Sequence, residues 1–85
     1  MRHVASRRFW SRYRELPEAV RKTADKNFQL LKTDPAHPSL HLKKVGRFWS
    51  VGIGGRYRCL GVASDDLLVW FWIGSHSDYD QLIRR

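Results

Sequence analysis

Apolar residues recur at helical spacing before residue 34 and at strand spacing after residue 40, and the change of period falls on a proline-rich stretch. Phe9, Tyr13, Leu16 and Val20 follow one another at intervals of four, three and four, and Val20, Ala24, Phe28 and Leu31 extend one apolar stripe. The pattern predicts two helices, or one kinked helix, over residues 6–33. Ser6 is placed to cap the first, and Pro17 suits the first turn of a second, with Glu18 favourable to its dipole. Asp34-Pro35-Ala36-His37-Pro38 ends the helical region, because proline both lacks an N–H and disfavours helix at the residue before it. Leu40 and Leu42 then alternate with His41 and Lys43, which predicts a strand over 40–45. Gly46-Arg47 makes a turn, and Phe48–Ile53 is a second strand with Trp49, Val51 and Ile53 on one face. Gly54-Gly55 is a hairpin signal. Arg56–Ala63 is a third strand, with Tyr57 and Cys59 opposite Arg58 and Leu60, and Ser64–Asp66 a further turn. Leu67–Ile73 is an unbroken apolar run, too short for a membrane span and rich in Trp, Phe, Val and Ile. It reads as a strand buried on both faces, in the middle of the sheet. Tyr79–Arg85 predicts a short closing helix, and Arg2–Ala5 a short edge strand.

The fold these elements make is α+β, a single domain over residues 1–85. Two N-terminal helices pack on one face of a small antiparallel meander of three or four strands, with the N-terminal edge strand added. The other face of the sheet is expected to be free for a ligand.

Charge narrows the choice of partner. The chain carries a formal net charge of +8 and its pI is near 10.4, more than solubility needs, so a polyanion is the expected partner: nucleic acid or an acidic protein segment. Cys59 is the single cysteine, which excludes an internal disulfide and a cysteine-rich zinc site, and its strand position suggests a small core residue. His37 and His41 are separated by Pro38 and cannot share a helix face, so no metal or other cofactor is expected. The glycines at 52, 54 and 55 lead from strand to strand and form a hairpin, not a phosphate loop. The basic N-terminus is followed by no apolar stretch, so neither secretion nor a membrane is expected, and the cytoplasm is the default location.

One constellation has chemistry in it. Arg56 and Arg58 fall on one strand at period two, Lys43, Lys44 and Arg47 precede them, and His76 follows the last strand, with Tyr79 three residues on. Such a group can hold a phosphodiester, with a guanidinium against the charge that develops on phosphorus and an imidazole to move a proton. RNA brings its own nucleophile, the 2′-hydroxyl. The bland alternative is a solvated strand face, with Ser75–Asp78 capping the final helix.

The segments HPSLHLKKV, GGRYRCLGV and LLVWFWIGSHSDYDQL resemble the RelE/ParE superfamily of type II toxin–antitoxin toxins. The resemblance covers most of the chain, and its most specific part pairs the YRxLxV strand with the apolar strand ending IGxHxxY. It implies a toxin that cleaves mRNA, on or off the ribosome, or else a ParE-like inhibitor of DNA gyrase without catalysis. An inactive RNA-binding module on the same fold is the third reading. The histidine-bearing end is more like the ribonuclease branch. The resemblance also implies a cognate antitoxin, acidic, partly disordered and DNA-binding. On it, Arg58 contacts the scissile phosphate, His76 is a general acid or phosphate ligand, and Tyr79 stacks on or orients a base. Arg56, Lys43, Lys44 and Arg47 help hold the substrate. The chain departs from the pattern at Ser50 and Gly52, where some RelE-like enzymes carry basic residues. His41, Lys43 and Lys44 are the candidates to stand in for the missing base.

Overall fold

The computed structural model describes residues 2–84. Strand β1 (Arg2–Ala5) leads to helix α1 (Arg7–Tyr13) and helix α2 (Glu18–Thr33), then a single 3-10 turn at Pro38–Leu40. Strands β2 (Lys43–Val45), β3 (Phe48–Ile53), β4 (Tyr57–Ser64) and β5 (Leu67–Ser75) follow, and helix α3 (His76–Ile83) closes the chain. The strands form one five-stranded sheet in the order β1-β5-β4-β3-β2. The β2–β5 part is the antiparallel meander that alternation predicted, and β1 adds to β5 in parallel.

Local chemistry sets the helix boundaries. Ser6 Oγ accepts from the backbone N–H of Phe9 at 3.3 Å, satisfying a donor that the first turn of α1 leaves over. Pro17 sits immediately before α2, where a missing N–H costs nothing, and Glu18 opens the helix beside its positive end. Both helices lay their apolar stripes on one face of the sheet. Phe9, Ala24 and Leu31 pack there against Val51, Ile53, Cys59, Leu68, Trp70 and Ile73. Asn27 lies in that layer and donates from Nδ2 to the carbonyl of Gly52 at 2.8 Å. Cys59 is a small core residue, and burial pushes its thiol well above the usual range, which makes it inert as a nucleophile.

The run Leu67–Ile73 is apolar without interruption because β5 is covered twice and carries a bulge. Leu60 pairs with Trp72, but the next pair is Gly61 with Trp70, so Phe71 is the extra residue. Past the bulge the alternation changes phase. Leu68, Trp70 and Ile73 face α1 and α2, while Trp72 joins Leu60 and Tyr79 in a second cluster on the other face. The strand lies between β1 and β4 rather than at the centre, which β4 occupies.

Four expectations need correction. The outer face of the sheet is not left free: α3 starts at His76, not Tyr79, and folds back to bury Tyr79 against Leu60 and Trp72. Ser75 is its N-cap, accepting from the N–H of Asp78 at 3.1 Å, so the capping reading holds and His76 is the first helical residue. The expected helix end at Arg85 lies outside the described residues. The strand expected from Leu40 begins only at Lys43, because Pro38–Leu40 turn first and His41 takes a left-handed backbone. The strand expected from Arg56 begins at Tyr57, and Arg56 belongs to the turn. Among the described residues, no helix is long and apolar enough to cross a membrane.

Candidate active site

The site forms on the outer face, where β4 begins and β5 ends. Arg58 stands on β4 directly between two glycines, Gly52 of β3 and Gly74 of β5. With no side chain on either flank, its guanidinium lies along the sheet instead of projecting from it. Nε donates to Ser50 Oγ at 2.7 Å, Nη2 donates to the His41 carbonyl at 3.1 Å, and Cζ lies 5.2 Å from the centre of the Tyr79 ring. Arg58 is only 7% exposed, yet no carboxylate pairs with it among the described residues. Its partners are a hydroxyl, a carbonyl and an aromatic face, all neutral. A buried guanidinium keeps its charge, and neutral partners compensate lost hydration less well than an anion does.

His76 approaches the same ring from α3. Its backbone N–H donates to the carbonyl of Arg56 at 2.7 Å, tying the start of the helix to the β3–β4 turn. Its imidazole meets Tyr79 edge to face, with centroids 5.6 Å apart. The side chain is 48% exposed, and Nδ1 lies 3.2 Å from Asp80 Oδ2 one turn on. Lys43, opposite Ser50 on β2, brings Nζ to 6.0 Å from the Tyr79 centroid. Arg58, His76 and Lys43 are therefore gathered around one buried phenol.

The remaining basic residues are not brought in. Lys44 points the other way along β2 and stacks on Trp49 at 5.5 Å. Arg47 stacks on Phe48 at 5.3 Å, at the far end of the β2–β3 hairpin. Arg56 contributes its carbonyl, and its exposed side chain lies off the strand. Tyr79 is 1% exposed, so it is the floor under the guanidinium and has no free face for a base. Ser50, Gly52 and the backbone of His41 complete the site. In the sequence Ser50 and Gly52 stand out only as positions without a basic residue, but the meander register sets both near Arg58 on the neighbouring strand.

The end of β5 is held by a contact from α1. Beyond Trp70, β1 no longer covers the edge of β5. There Arg12 donates from Nε to the Ile73 carbonyl at 2.8 Å and lays its guanidinium 5.0 Å from the Trp72 ring. This fixes the strand end from which Ser75 and His76 depart.

No family model and no curated protein matches the sequence. Solved structures do match over nearly their full lengths. A chain of the RelB–RelE antitoxin–toxin complex from Methanococcus jannaschii superposes with a TM-score of 0.73 at 16% identity, covering 92% of this chain and 96% of that one. The YoeB/ParE toxin from Agrobacterium tumefaciens gives 0.69 at 15% identity, covering 89% and 99%. The isolated Escherichia coli RelE toxin gives 0.64 at 16%, covering 99% and 96%. These neighbours are named as toxins, one of them from an antitoxin–toxin complex, and this chain shares their RelE/ParE-like fold.

Proposed function

We propose that this protein is the toxin of a toxin–antitoxin pair and an endoribonuclease that cleaves mRNA through the substrate's own 2′-hydroxyl, so stopping translation. The observation that carries this reading is that the buried, carboxylate-free guanidinium of Arg58 and the half-exposed imidazole of His76 approach the same Tyr79 ring. A phosphodiester supplies the anion that Arg58 lacks. Its Nη groups bind the non-bridging oxygens and oppose the charge that grows on phosphorus during attack. His76, half-exposed at the start of α3, gives a proton to the departing 5′-oxygen. Lys43 adds a second positive charge beside the same phosphate, and Tyr79 holds the guanidinium in place. Arg56, Lys44 and Arg47 serve only as outlying charge for more distant phosphates.

The partner that restrains such a toxin is an antitoxin, acidic and partly disordered. The charge of +8 and the exposed apolar residues Trp10, Leu82 and Ile83 support such a partner, as does the Methanococcus jannaschii fold neighbour, which comes from an antitoxin–toxin complex.

Inducing the protein in growing cells tests the reading. Growth should stop with mRNA cut internally and no early DNA damage, and the fragments should end in a 2′,3′-cyclic phosphate or 3′-phosphate. DNA damage that precedes any loss of mRNA favours gyrase inhibition instead. Unimpaired growth removes both.

A further inference from the structure

We propose that His41 is the general base of this cleavage, the group that takes the proton from the attacking 2′-hydroxyl. The inference rests on the ribonuclease reading above and identifies the residue that reading left unnamed. His41 follows the 3-10 turn with φ 45° and ψ 44°, a left-handed conformation that a residue with a side chain seldom takes. Two hydrogen bonds fix it there: its N–H donates to the Pro38 carbonyl at 3.2 Å, and its own carbonyl accepts from Arg58 Nη2 at 3.1 Å. The phosphate-binding guanidinium and the backbone of His41 are thus locked together.

The ring is brought to the same place. The point where a side chain on Gly52 would begin is 3.6 Å from Cδ2 of His41 and 3.4 Å from Nη1 of Arg58. Imidazole and guanidinium both border the space above this glycine. A larger residue at 52 would project between them, so the site takes its imidazole from the neighbouring loop rather than from β3.

Elimination leads to the same residue. A base must be neutral before the reaction and reachable by substrate. Lys43 is cationic, Ser50 Oγ already accepts from Arg58, and Tyr79 is sealed under the guanidinium. His76 lies on the other side of β4 from this loop and already fills the acid's place. His41 is exposed, and its ring nitrogens have no hydrogen-bond partner among the described residues. Imidazole is also the side chain that changes charge between pH 5 and 8.

Topology supplies the direction. In the sheet order, β4 carries Arg58, β5 and His76 lie to one side, and β3 and the loop bearing His41 lie to the other. In-line displacement at phosphorus needs base and acid on opposite sides, with the charge stabiliser between them. The 2′-hydroxyl proton passes to a ring nitrogen of His41 as the 2′-oxygen bonds to phosphorus. The bond from phosphorus to the 5′-oxygen breaks, and the proton on His76 goes to that oxygen. The products are a 2′,3′-cyclic phosphate and a 5′-hydroxyl, with His41 left protonated and His76 neutral.

The two roles separate with a substrate whose leaving 5′-oxygen is replaced by sulfur, because a thiolate departs without a proton. Asn is at home in the left-handed backbone, so His41→Asn removes the ring and keeps the carbonyl for Arg58. We expect His41→Asn and His76→Gln each to slow cleavage of ordinary RNA by about 100-fold or more, with the thio substrate restoring His76→Gln but not His41→Asn. His41→Gly, which suits the same backbone, should regain activity with added imidazole. Cleavage by His41→Asn at the wild-type rate, or its rescue by the thio substrate, overturns the assignment. A wild-type protein that leaves RNA intact removes instead the reading on which the assignment stands.

Discussion

The guanidinium of Arg58 rests on the ring of Tyr79 with 5.2 Å between them, yet the hydroxyl of that same tyrosine has no hydrogen-bond partner among the described residues. Ring and hydroxyl therefore have opposite effects on stability. The ring fills the outer cluster with Leu60 and Trp72 and gives a buried cation a polarisable face. The hydroxyl was desolvated without compensation. Tyr79→Phe should keep cleavage and raise stability by about 1 kcal/mol, or about 4–8 °C in Tm for a domain of this size. Tyr79→Ala should lose about 3–5 kcal/mol and with it the seat of Arg58. Thermal melts of both variants decide the matter; a Tyr79→Phe protein that melts lower than wild type means the hydroxyl has a partner in solution.

Arg58 is predicted to serve function at the expense of stability. Replacing a buried charge that lacks a counter-charge with an apolar side chain of similar length is often neutral or stabilising. Ser50 Oγ and the His41 carbonyl lose their donor in that exchange, which offsets part of the gain. Arg58→Met should therefore melt within about 1 kcal/mol of wild type while cleavage is abolished. Inorganic phosphate supplies the independent readout. At about 100 times its Kd it should stabilise wild type by ~2.7 kcal/mol and leave Arg58→Met nearly unmoved. Equal stabilisation of the two proteins by phosphate would place the anion elsewhere.

Much of this arrangement was legible in the sequence, and what escaped shares one cause. Periodicity located both helices and the four meander strands, and it placed Arg58 and Leu60 on the face opposite Cys59. These features depend on neighbours a few residues apart. The covering of the outer face by α3 depends instead on where Ser75 caps, and a polar SHSD stretch reads equally well as loop or helix start. The parallel addition of β1 joins segments far apart in sequence, and no local pattern encodes it. Tyr79 read as an exposed ring because its burial comes from Leu60 and Trp72, across the bulge at Phe71. Lys43 and Lys44 read alike in composition, and only strand alternation sends one to the site and the other to Trp49.

Two glycines on neighbouring strands should respond oppositely to a methyl group. A Cβ on Gly61 would lie 2.8 Å from Cε3 of Trp70, whose buried indole cannot withdraw without disturbing the helix layer. A Cβ on Gly52 would meet its nearest neighbour, Arg58 Nη1, at 3.4 Å, an ordinary contact. Gly61→Ala should cost about 1–3 kcal/mol, as overpacking does. Gly52→Ala should stay within about 0.5 kcal/mol of wild type, because alanine in a strand also restrains the unfolded chain. Denaturant titrations of the two single variants test the contrast. A well-tolerated Gly61→Ala would show that the bulge lets Trp70 move.

His3 lies on β1, where its Nδ1 accepts from Trp70 Nε1 at 3.2 Å and its ring stacks on the indole with centroids 6.2 Å apart. Burial, followed by nearby positive charge that includes Lys32, lowers its pKa below the ordinary value of 6.5. A histidine whose folded pKa is depressed binds protons more readily when the chain is unfolded. Its contribution to stability is full above pH 6.5 and is lost as pH falls through the lowered folded value. The bond to Trp70 has the same sign, since only the unprotonated nitrogen accepts. Wild type should therefore melt progressively lower as pH is taken from 7.5 toward 5. His3→Gln, whose amide oxygen can accept from the same indole but does not titrate, should flatten that part of the profile. If the two proteins lose Tm in parallel over this range, the acid sensitivity arises at another group and the His3–Trp70 contact is not its source.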